Sequence, residues 1–453
     1  MNRRTFLQTS AGWVSALLPS QGAPAGRPNV VVIVADDLGY MELGVQGCPD
    51  VPTPNIDSIA RNGVRFTDGY VSCPVCSPTR AGLMSGRYQQ RFGHEFNPGP
   101  ATAADTQFGL PLTETTFADR MRSLGYATGM VGKWHLGYRP ELHPLKRGFD
   151  EFFGFLGGAH SYVNALADKA NPILRGADPV DEKEYLTDAF TREAVAYLRR
   201  PRKEPFFLYL TYNATHGPME PFEKYTSRFP NIAEPRRRTF AGMLTALDEG
   251  VGAVLKALGE TRVLDNTLIF FVSDNGGPTP GNTARNDPFR GFKGQVFEGG
   301  IRVPFLMQWR ARVPAGIVHR QPVIALDILP TAVAAGGGKP PAEAKLDGVN
   351  LMPYVTGKNK AAPHDALYWR FGQPAAIRKG DWKLLRQLDD KWQLYNLAAD
   401  PGESKDLAAA NPEKAKELQA AWEAWNAQLQ GPRWGRPNRA RPLGAPRKNR
   451  SKG

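Results

Sequence analysis

The sequence has few cysteines, no long apolar run and no internal repeat. Three cysteines in 453 residues are too few for a scaffold held by disulfides. No uninterrupted apolar stretch reaches the roughly 20 residues of a membrane span. With 41% hydrophobic residues, we expect a soluble globular chain, long enough for one large domain and a smaller one.

Acidic residues are absent from the segment 431–453, which contains eight Lys/Arg and four prolines. Such a segment has too little apolar content to fold, so we expect a disordered basic tail. The tail is either a solvated end or a contact for an anionic glycan or cell-envelope polymer.

The N-terminal segment has the composition of an export signal. Paired Arg3 and Arg4 precede Phe6-Leu7, a modest apolar stretch follows to Leu18, and small residues lie at 23–25. This pattern is typical of a twin-arginine signal over residues 1–25, which predicts a periplasmic or extracellular protein. We therefore do not expect nucleic acid as a partner.

Apolar, β-branched runs alternate with helical stretches along most of the chain. Strands are predicted at 29–35, 206–212, 267–272 and 303–309, and helices at 116–124 and 239–258. This alternation predicts an α/β fold with helices on both faces of a sheet. Polar residues follow several of these strands, where open α/β sheets hold ligands.

The pattern changes after residue 363. Short strands are predicted at 375–378, 382–386 and 392–397, and a helix at 412–430. We expect a smaller antiparallel sheet with one helix, which divides the chain into a domain at 26–363 and a subdomain at 364–430.

Two acidic pairs each follow a predicted strand. Asp36-Asp37 and Asp274-Asn275 offer three carboxylates and an amide oxygen. This oxygen-rich set suits Ca²⁺ more readily than Mg²⁺. The alternative is that both pairs are solvated turn residues.

The stretch from Cys76 to Gly86 combines a thiol with a fixed cation at Arg80. Ser77-Pro78 predicts a turn, and a helix is expected to begin at Ala81. Cys76 and the first backbone N–H groups could then face a bound anion. A buried structural cysteine is the alternative.

Cys73-x-x-Cys76 also has the spacing of redox and metal sites. A zinc site needs a second pair, which the sequence lacks, and a thioredoxin-like site needs a short βαβ context, which this region lacks. Cys73 is interpreted as a structural thiol, with Cys48 as a candidate disulfide partner.

Residues 76–86, C-S-P-T-R-A-G-L-M-S-G, resemble the signature of type I sulfatases of the alkaline phosphatase superfamily. Residues 125–135, G-Y-A-T-G-M-V-G-K-W-H, resemble the second sulfatase signature, and the motifs around His216 and Lys293 complete a likeness from about residue 29 to 404. The resemblance implies an alkaline phosphatase-like fold, a large mixed, mostly parallel sheet between helices.

The resemblance also implies a sulfuric ester hydrolase. Cys76 would be oxidised to formylglycine by a formylglycine-generating enzyme, and its hydrate, a gem-diol, would attack sulfur. Ca²⁺ would be held by the two acidic pairs and by position 76. The implied catalytic residues are Cys76, Arg80, Lys133, His135, His216 and Lys293, with His216 as the acid and His135 as the base. Taken alone, Lys133 and His135 would be two residues apart on one face of a strand.

The sequence indicates the substrate less clearly than it indicates the reaction. The expected class is a sulfated carbohydrate or an aryl sulfate, and His160 or Ser161 lies where the family places a substrate contact. Segment 93–97 could line the pocket mouth, although loop polarity is an equal alternative for both segments. His143, His319 and His364 belong to no motif and are interpreted as structural or surface residues.

Two alternative functions remain open at this point. A phosphate mono- or diesterase could use the same fold and metal-binding acids. If Cys76 were never oxidised, the chain could be a non-catalytic protein that binds sulfated glycans.

Overall fold

The computed structural model describes residues 26–99 and 108–435. The predicted export signal and the part of the tail after residue 435 lie outside these residues. Within them, no helix combines the length and the apolar character that crossing a membrane requires.

The strands of the described chain form three sheets. They are β1 (Asn29–Ala35), β2 (Val64–Phe66), β3 (Gly69–Tyr70), β4 (Ala127–Lys133), β5 (Glu151–Phe155), β6 (Leu174–Arg175), β7 (Asp178–Pro179), β8 (Phe206–Thr211), β9 (Thr267–Ser273), β10 (Phe305–Gln308), β11 (Ile317–His319), β12 (Val323–Ile324), β13 (Leu367–Arg370), β14 (Ala375–Lys379), β15 (Trp382–Arg386) and β16 (Gln393–Asn396).

The α-helices, with short 3₁₀ turns between them, follow the same chain order. They are α1 (Pro54–Arg61), α2 (Cys76–Ser85), α3 (Phe117–Ser123), α4 (Leu186–Arg199), α5 (Glu223–Thr226), α6 (Pro235–Glu260), α7 (Thr279–Asn282), α8 (Glu298–Ile301), α9 (Ile328–Ala335), α10 (Met352–Val355) and α11 (Pro412–Asn426).

The largest sheet has ten strands in the order β11-β2-β10-β9-β1-β8-β4-β5-β6-β7. Strands β9, β1, β8, β4 and β5 are adjacent and parallel, whereas β10, β6 and β7 pair antiparallel with their neighbours. The predicted mixed, mostly parallel sheet is therefore confirmed.

Strand β1 shows why helices cover both faces of this sheet. Val30, Val32 and Val34 pack into one hydrophobic core, and Val31 and Ile33 pack into the other. Alternate side chains of a strand point to opposite faces, so a strand that is apolar throughout needs a cover on each side. Helices α4 and α6 pack over the second core, and α2 and α9 over the first.

A separate antiparallel sheet has the order β13-β14-β15-β16, with α11 packed against it. Its buried residues, including Trp369 and Leu384, join the same core as Val30. The predicted small antiparallel sheet with one helix is confirmed. Strand β13, whose residues are alternately buried and half-buried, was not among the predicted strands.

The described start of the tail does not behave as predicted. Trp434 is 7% exposed, and its Nε1 donates to the carbonyl oxygens of Phe96 and Asn97 at 3.0 and 3.1 Å. Its ring also contacts His94 edge-on, with 4.6 Å between centroids. The expectation that the chain is unfolded from residue 431 is therefore wrong for 431–435, because Trp434 is buried and the Arg433 N–H donates to the Gly93 carbonyl at 2.9 Å.

Candidate active site

The candidate residues meet at the carboxyl ends of five adjacent parallel strands. Asp274 and Asn275 follow β9, Asp36 and Asp37 follow β1, and His216 lies in the loop after β8. Lys133 ends β4, with His135 just beyond it, and His160 and Ser161 lie in the loop after β5. Parallel strands bring their carboxyl ends to one edge, which explains how residues more than 200 positions apart in sequence form one cluster.

The backbone around Asp37 turns sharply. Asp37 has φ of 64°, a left-handed conformation that an aspartate tolerates better than most side chains. The turn is fixed by hydrogen bonds from the Asp37 N–H to Asp274 Oδ1 at 3.2 Å and from the Thr215 N–H to the Asp36 carbonyl at 2.6 Å. Two consecutive carboxylates thereby belong to the same cluster.

Each of the three carboxylates has a buried cationic partner. Lys133 Nζ lies 2.5 Å from Asp36 Oδ2, Lys293 Nζ lies 2.6 Å from Asp37 Oδ1, and the Arg80 guanidinium contacts Asp274 Oδ2 at 2.8 and 3.0 Å. These are the pairs Lys133–Asp36, Lys293–Asp37 and Arg80–Asp274. Charge-assisted hydrogen bonds of this kind are what make burying six ionised groups possible.

The pKa values of the three acids differ because their surroundings differ. Burial, and then the nearby charge of Asp274, raises the pKa of Asp36. Burial also acts to raise the pKa of Asp37, but Lys293 and His216 outweigh it, and the pKa lies below its usual value. The Asp274 pKa is likewise lowered, since Arg80 and Lys133 outweigh burial.

The oxygen atoms of this cluster fit a hard divalent cation. Ligand atoms of Asp36, Asp37, Cys76 and His216 lie within 4.8 Å of one another. Asn275 Oδ1 is buried and has no hydrogen-bond partner among the described residues. Carboxylates with an unpartnered amide oxygen match the ligands that Ca²⁺ takes. The predicted metal-binding residues are therefore brought together, with Asp274 adjoining the group through its hydrogen bond with the Asp37 N–H.

Cys76 is the first residue of α2 rather than part of a turn before it. The expected helix start at Ala81 is wrong, because Pro78 lies in the first helical turn, where a missing N–H is tolerated. Cys76 Sγ lies 3.1 Å from Lys293 Nζ and 3.6 Å from Asp36 Oδ1. Burial raises the pKa of this thiol to about 12, which favours the protonated form of an unmodified side chain.

The other two cysteines do not form the proposed disulfide. All three thiols are free in the described chain. Cys48 Sγ lies 3.5 Å from Asp50 Oδ1 and 3.8 Å from Glu42 Oε2, within the contacts of Arg237. Cys73 is fully buried just before α2. The candidate pairing of Cys48 with Cys73 is wrong because these polar partners hold Cys48 elsewhere.

His135 lies beyond the end of β4 and not on the strand. Its φ of 58° turns the chain, so the expectation that Lys133 and His135 share one face of a strand is wrong. The Ser77 hydroxyl donates to the His135 carbonyl at 2.6 Å. Burial, followed by the charges of Lys133 and Arg80, holds the pKa of His135 well below its usual value. Its Nδ1 is buried without a partner in the described part of the chain, and a neutral ring can accept a proton.

His216 is more exposed than His135. Its Nε2 lies 3.6 Å from Asp37 Oδ2, and its Nδ1 lies 2.6 Å from the carbonyl of Gly217. Burial lowers the pKa of His216, although Asp37 and Asp36 act to raise it. With 22% of its side chain exposed, this imidazole is the histidine at the cluster with access to solvent.

The predicted substrate contacts differ in what their side chains do. The Ser161 hydroxyl donates to Glu220 Oε1 and Oε2 at 3.0 and 2.9 Å. His160 is 3% exposed and its Nε2 has no partner among the described residues. Sequence reasoning missed Glu220, because a glutamate after Pro218-Met219 carries no motif signal.

The residues of segment 93–97 differ in exposure, since Phe96 is half-buried and Asn97 is exposed, and a place at the pocket mouth stays a prediction. His94 and Glu95 are fully buried, and Glu95 forms an ion pair with Arg370 at 2.8 Å. His94 Nε2 lies 2.7 Å from the Ser77 hydroxyl, and Asn97 Oδ1 accepts the Ser77 N–H at 3.0 Å. His94 and Asn97 of this segment therefore hydrogen-bond to Ser77 at the N-terminus of α2.

The three histidines without a motif have structural contacts. His364 Nε2 lies 2.8 Å from Asp327 Oδ1, His143 Nδ1 accepts the Leu145 N–H, and the His319 ring packs against Phe66. These contacts agree with their interpretation as structural residues.

Comparison with known proteins gives concordant results. The family model described as Sulfatase matches residues 28–338, and the model described as N-sulphoglucosamine sulphohydrolase, C-terminal, matches residues 291–429. The chain is 34% identical to N-acetylgalactosamine-6-sulfatase of Canis lupus familiaris, over 86% of this chain and 78% of that protein. It is 33% identical to arylsulfatase A of Homo sapiens, over 87% of each. Among solved structures, Ps i-CgsB in complex with k-i-k-neocarrahexaose is 39% identical, with a TM-score of 0.85 over 90% of this chain and 94% of that chain.

Proposed function

The chain belongs to the sulfatase family and is a sulfuric ester hydrolase, and from this premise we propose that it releases sulfate from a sulfated carbohydrate. The proposal includes formylglycine at position 76 and Ca²⁺ at the acidic cluster. The observation that carries it is the arrangement of Cys76, three carboxylates and three cations at one edge of the sheet.

Two groups supplied from outside the sequence complete this proposal. Ca²⁺ would be held by Asp36, Asp37, Asp274, Asn275 and the side chain at position 76, and when bound it draws electron density from an oxygen of the sulfate group. Formylglycine, when formed at position 76 and hydrated, supplies a hydroxyl nucleophile and a second hydroxyl that allows sulfate to be expelled without attack of water on sulfur.

The fixed cations hold the sulfate and offset its charge. Arg80, Lys133 and Lys293 are buried and already oriented by carboxylates. Burial acts to lower the pKa of Lys293, but Asp37 and Cys76 outweigh it and raise that pKa well above its usual value. A permanently charged ammonium beside position 76 stabilises negative charge that develops on the non-bridging oxygens.

Each of the two histidines, His216 and His135, takes part in a different proton transfer. His216, which is partly exposed beside the acidic cluster, donates a proton to the leaving oxygen of the sugar. His135, which is buried and neutral, takes a proton from the side chain of residue 76 at the end of the cycle. Each transfer is typically worth about 10²–10⁴ in rate.

The substrate class rests on the relatives. The relatives include an N-acetylgalactosamine-6-sulfatase and a protein solved in complex with k-i-k-neocarrahexaose. We infer a sulfated sugar for this chain and expect aryl sulfates to be cleaved as artificial substrates. Export through residues 1–25, a periplasmic or extracellular site of action and maturation by a formylglycine-generating enzyme remain predictions.

The test combines mass spectrometry with a substrate panel. In protein from its native host, the peptide containing residue 76 should be about 18 Da lighter than the cysteine form. Sulfate release should occur from at least one of N-acetylgalactosamine 6-sulfate, glucosamine 6-sulfate, k-i-k-neocarrahexaose and 4-nitrophenyl sulfate. Cys76→Ala should abolish turnover of all of them, and Cys48→Ser should not.

The panel also separates the alternatives. Hydrolysis of 4-nitrophenyl phosphate in preference to 4-nitrophenyl sulfate would indicate a phosphatase. An unmodified thiol in the native protein, together with binding but no hydrolysis of sulfated sugars, would indicate a glycan-binding protein. Either result would contradict the proposed function.

A further inference from the structure

The loop after β5, residues 157–163, is anchored to both catalytic histidines. At its start, Gly158 lies so close to His135 that a Cβ there would be 2.6 Å from Nε2. Towards its end, the Tyr162 hydroxyl contacts the carbonyl of His216 at 2.8 Å. His160 lies between Gly158 and Tyr162 in sequence, so its backbone lies close to the candidate active site.

The hydrogen bond of His160 Nδ1 determines whether Nε2 donates or accepts in the neutral ring. Nδ1 lies 2.9 Å from the carbonyl oxygen of Ser161, which can only accept. The proton of the neutral ring is therefore on Nδ1, and Nε2 presents a lone pair. Nε2 is buried and without a partner in residues 26–99 and 108–435, and the ring packs against Phe155.

A second unpartnered polar side chain lies beside the same loop. The Tyr162 hydroxyl contacts the Asn213 carbonyl at 2.6 Å. The Asn213 side chain is 1% exposed, and neither its Oδ1 nor its Nδ2 has a partner in the described residues. Leaving a buried polar group unsatisfied costs about 1–3 kcal/mol, so this region is suited to an occupant that can hydrogen-bond.

We propose that His160 recognises the sugar and not the sulfate: its Nε2 accepts a hydrogen bond from a hydroxyl or amide N–H of the saccharide. The inference rests on the proposed function and deepens it. A sulfate monoester is an anion whose oxygens only accept, so it offers nothing to a lone pair. A sugar carries donors on the carbons next to the ester.

Glu220 is the positioning residue for this contact. Its carboxylate accepts the Tyr162 N–H at 2.6 Å and the Ser161 hydroxyl at 2.9 Å. These bonds fix the two residues that follow His160, including the carbonyl that sets its tautomer. The Ser161 hydroxyl is thereby occupied by Glu220 and does not serve as the substrate contact.

The test compares a sugar with an aryl sulfate, which lacks neighbouring donors. The sugar is the saccharide of the panel above with the highest kcat/KM, and the aryl ester is 4-nitrophenyl sulfate. His160→Ala should raise KM for the sugar about tenfold, as expected for one lost hydrogen bond, and lower the sugar-to-aryl ratio of kcat/KM by a similar factor. His160→Gln, which keeps an acceptor oxygen, should recover part of this ratio.

Two further measurements address Glu220 and folding. Glu220→Gln should also raise KM for the sugar, as His160→Ala does. The effects of the two substitutions should not add, since the two residues act as one unit. Inhibition by the desulfated sugar should weaken in parallel, because the contact does not involve sulfate. His143→Ala, which removes a structural imidazole, is the matched control and should leave the ratio unchanged.

The outcomes separate this inference from the function on which it rests. An equal loss on both substrates in His160→Ala, or unchanged inhibition by the desulfated sugar, would overturn the role of His160 while the protein remains a sulfatase. Cleavage of the aryl ester with no cleavage of any saccharide would overturn the proposed substrate class and this inference together.

Discussion

His216 is the histidine of the site that combines solvent access with contact to the carboxylates. Its Nε2 is 3.6 Å from Asp37 Oδ2, and its Nδ1 is occupied by the Gly217 carbonyl. A side chain that has one free nitrogen and is exposed at the cluster can reach the leaving group, whereas His135 is buried.

The proposed role of His216 predicts a dependence on the leaving group. A sugar alkoxide is a poor leaving group and needs a proton, whereas 4-nitrophenolate leaves readily without one. His216→Ala should therefore lower kcat for a sulfated sugar by about 10²–10⁴ and for 4-nitrophenyl sulfate by much less. Steady-state kinetics on the two substrates measures this difference.

A matched histidine controls for loss of packing. His319→Ala removes an imidazole that packs against Phe66, away from the cluster, and should leave both kcat values near those of the parent. Equal losses of kcat on both substrates in His216→Ala would rule out the assignment of His216 as the acid. The effect falls on kcat, which distinguishes it from the KM effect expected at His160.

For single residues, the sequence indicated a role in the site where a polar residue directly follows an apolar strand. Asp36, Asp37 and Asp274 were recognisable because carboxylates after apolar strands lie at a ligand-binding edge. Glu220 was not recognisable, since its importance comes from accepting two N–H or O–H groups of a loop about 60 residues away. Contacts between loops depend on the three-dimensional path of the chain and leave no local pattern.

Among the elements, β15 and α8 are joined by a buried ionic cluster, which comprises Glu298, Lys383 and Glu403. Lys383 Nζ lies 2.8 Å from Glu298 Oε1 and 2.8 Å from Glu403 Oε1, and all three side chains are fully buried. The Glu298 N–H also donates to Glu403 Oε2 at 2.7 Å. Because α8 follows the loop that carries Lys293, this cluster connects the C-terminal sheet to the candidate active site.

Removal of the shared cation should destabilise this junction strongly. Lys383→Met leaves Glu298 and Glu403 buried without their common partner, and breaking a buried pair in this way costs about 3–5 kcal/mol. Urea unfolding should show that loss. Lys379→Met, on the neighbouring strand, removes a partly exposed ion pair to Glu417 and should cost about 1 kcal/mol or less. Similar losses in the two variants would contradict the structural role of Lys383.

The same cluster predicts a pH dependence of stability. Burial, together with the charge of Glu298, raises the pKa of Glu403 to about 7. Between its usual value near 4.5 and this folded value, the folded chain binds a proton that the unfolded chain has released. The contribution of Glu403 to the free energy of unfolding should therefore be fully present below the unfolded pKa and fall by about 1–3 kcal/mol as the pH rises towards 7.

Glu403→Gln is the variant that isolates this contribution. It cannot titrate, so the difference in unfolding free energy between parent and variant should change across pH 4.5 to 7 and stay constant above it. Urea titrations at several pH values in that range provide the measurement. A difference that is independent of pH would show that Glu403 does not titrate in this window.

Prediction of elements was good for strands and weaker for their ends. Strand β1 was predicted at its exact bounds because an unbroken apolar run fixes both ends. Helix α2 was expected to begin five residues too late, since proline normally indicates a turn and is compatible with a helix only in its first turn. His135 was placed on β4, although the chain leaves the strand at Lys133.

Over the whole molecule, the order of strands could not be predicted from the sequence. Strand β1 pairs with β8 and β9, which lie more than 170 residues further along the chain. Such pairings depend on which apolar faces pack together after collapse and are not encoded in local periodicity. The residues indicated an α/β sheet and the family likeness implied that it is mixed and mostly parallel, but neither gave this order.

Binding of Ca²⁺ links the site to the stability of the whole fold. The acidic cluster joins β1, β9 and the loop after β8, so a cation held there connects segments from distant parts of the chain. A ligand that binds only the folded state stabilises it by about 2.7 kcal/mol at 100 times its Kd. We therefore expect Ca²⁺ to raise Tm and EGTA to lower it.

The identity of the cation can be judged from the same measurement. Ca²⁺ accepts six to eight ligands in flexible geometry, whereas Mg²⁺ requires a near-ideal octahedron and retains water. Mg²⁺ at the same concentration should therefore raise Tm less. Asn275→Ala removes the unpartnered amide oxygen and should reduce the Ca²⁺-dependent rise in Tm, whereas Asn164→Ala, on an exposed part of the chain, should leave it intact. A Tm that responds to neither cation would contradict the metal site, since linkage requires any cation bound only by the folded chain to stabilise that chain.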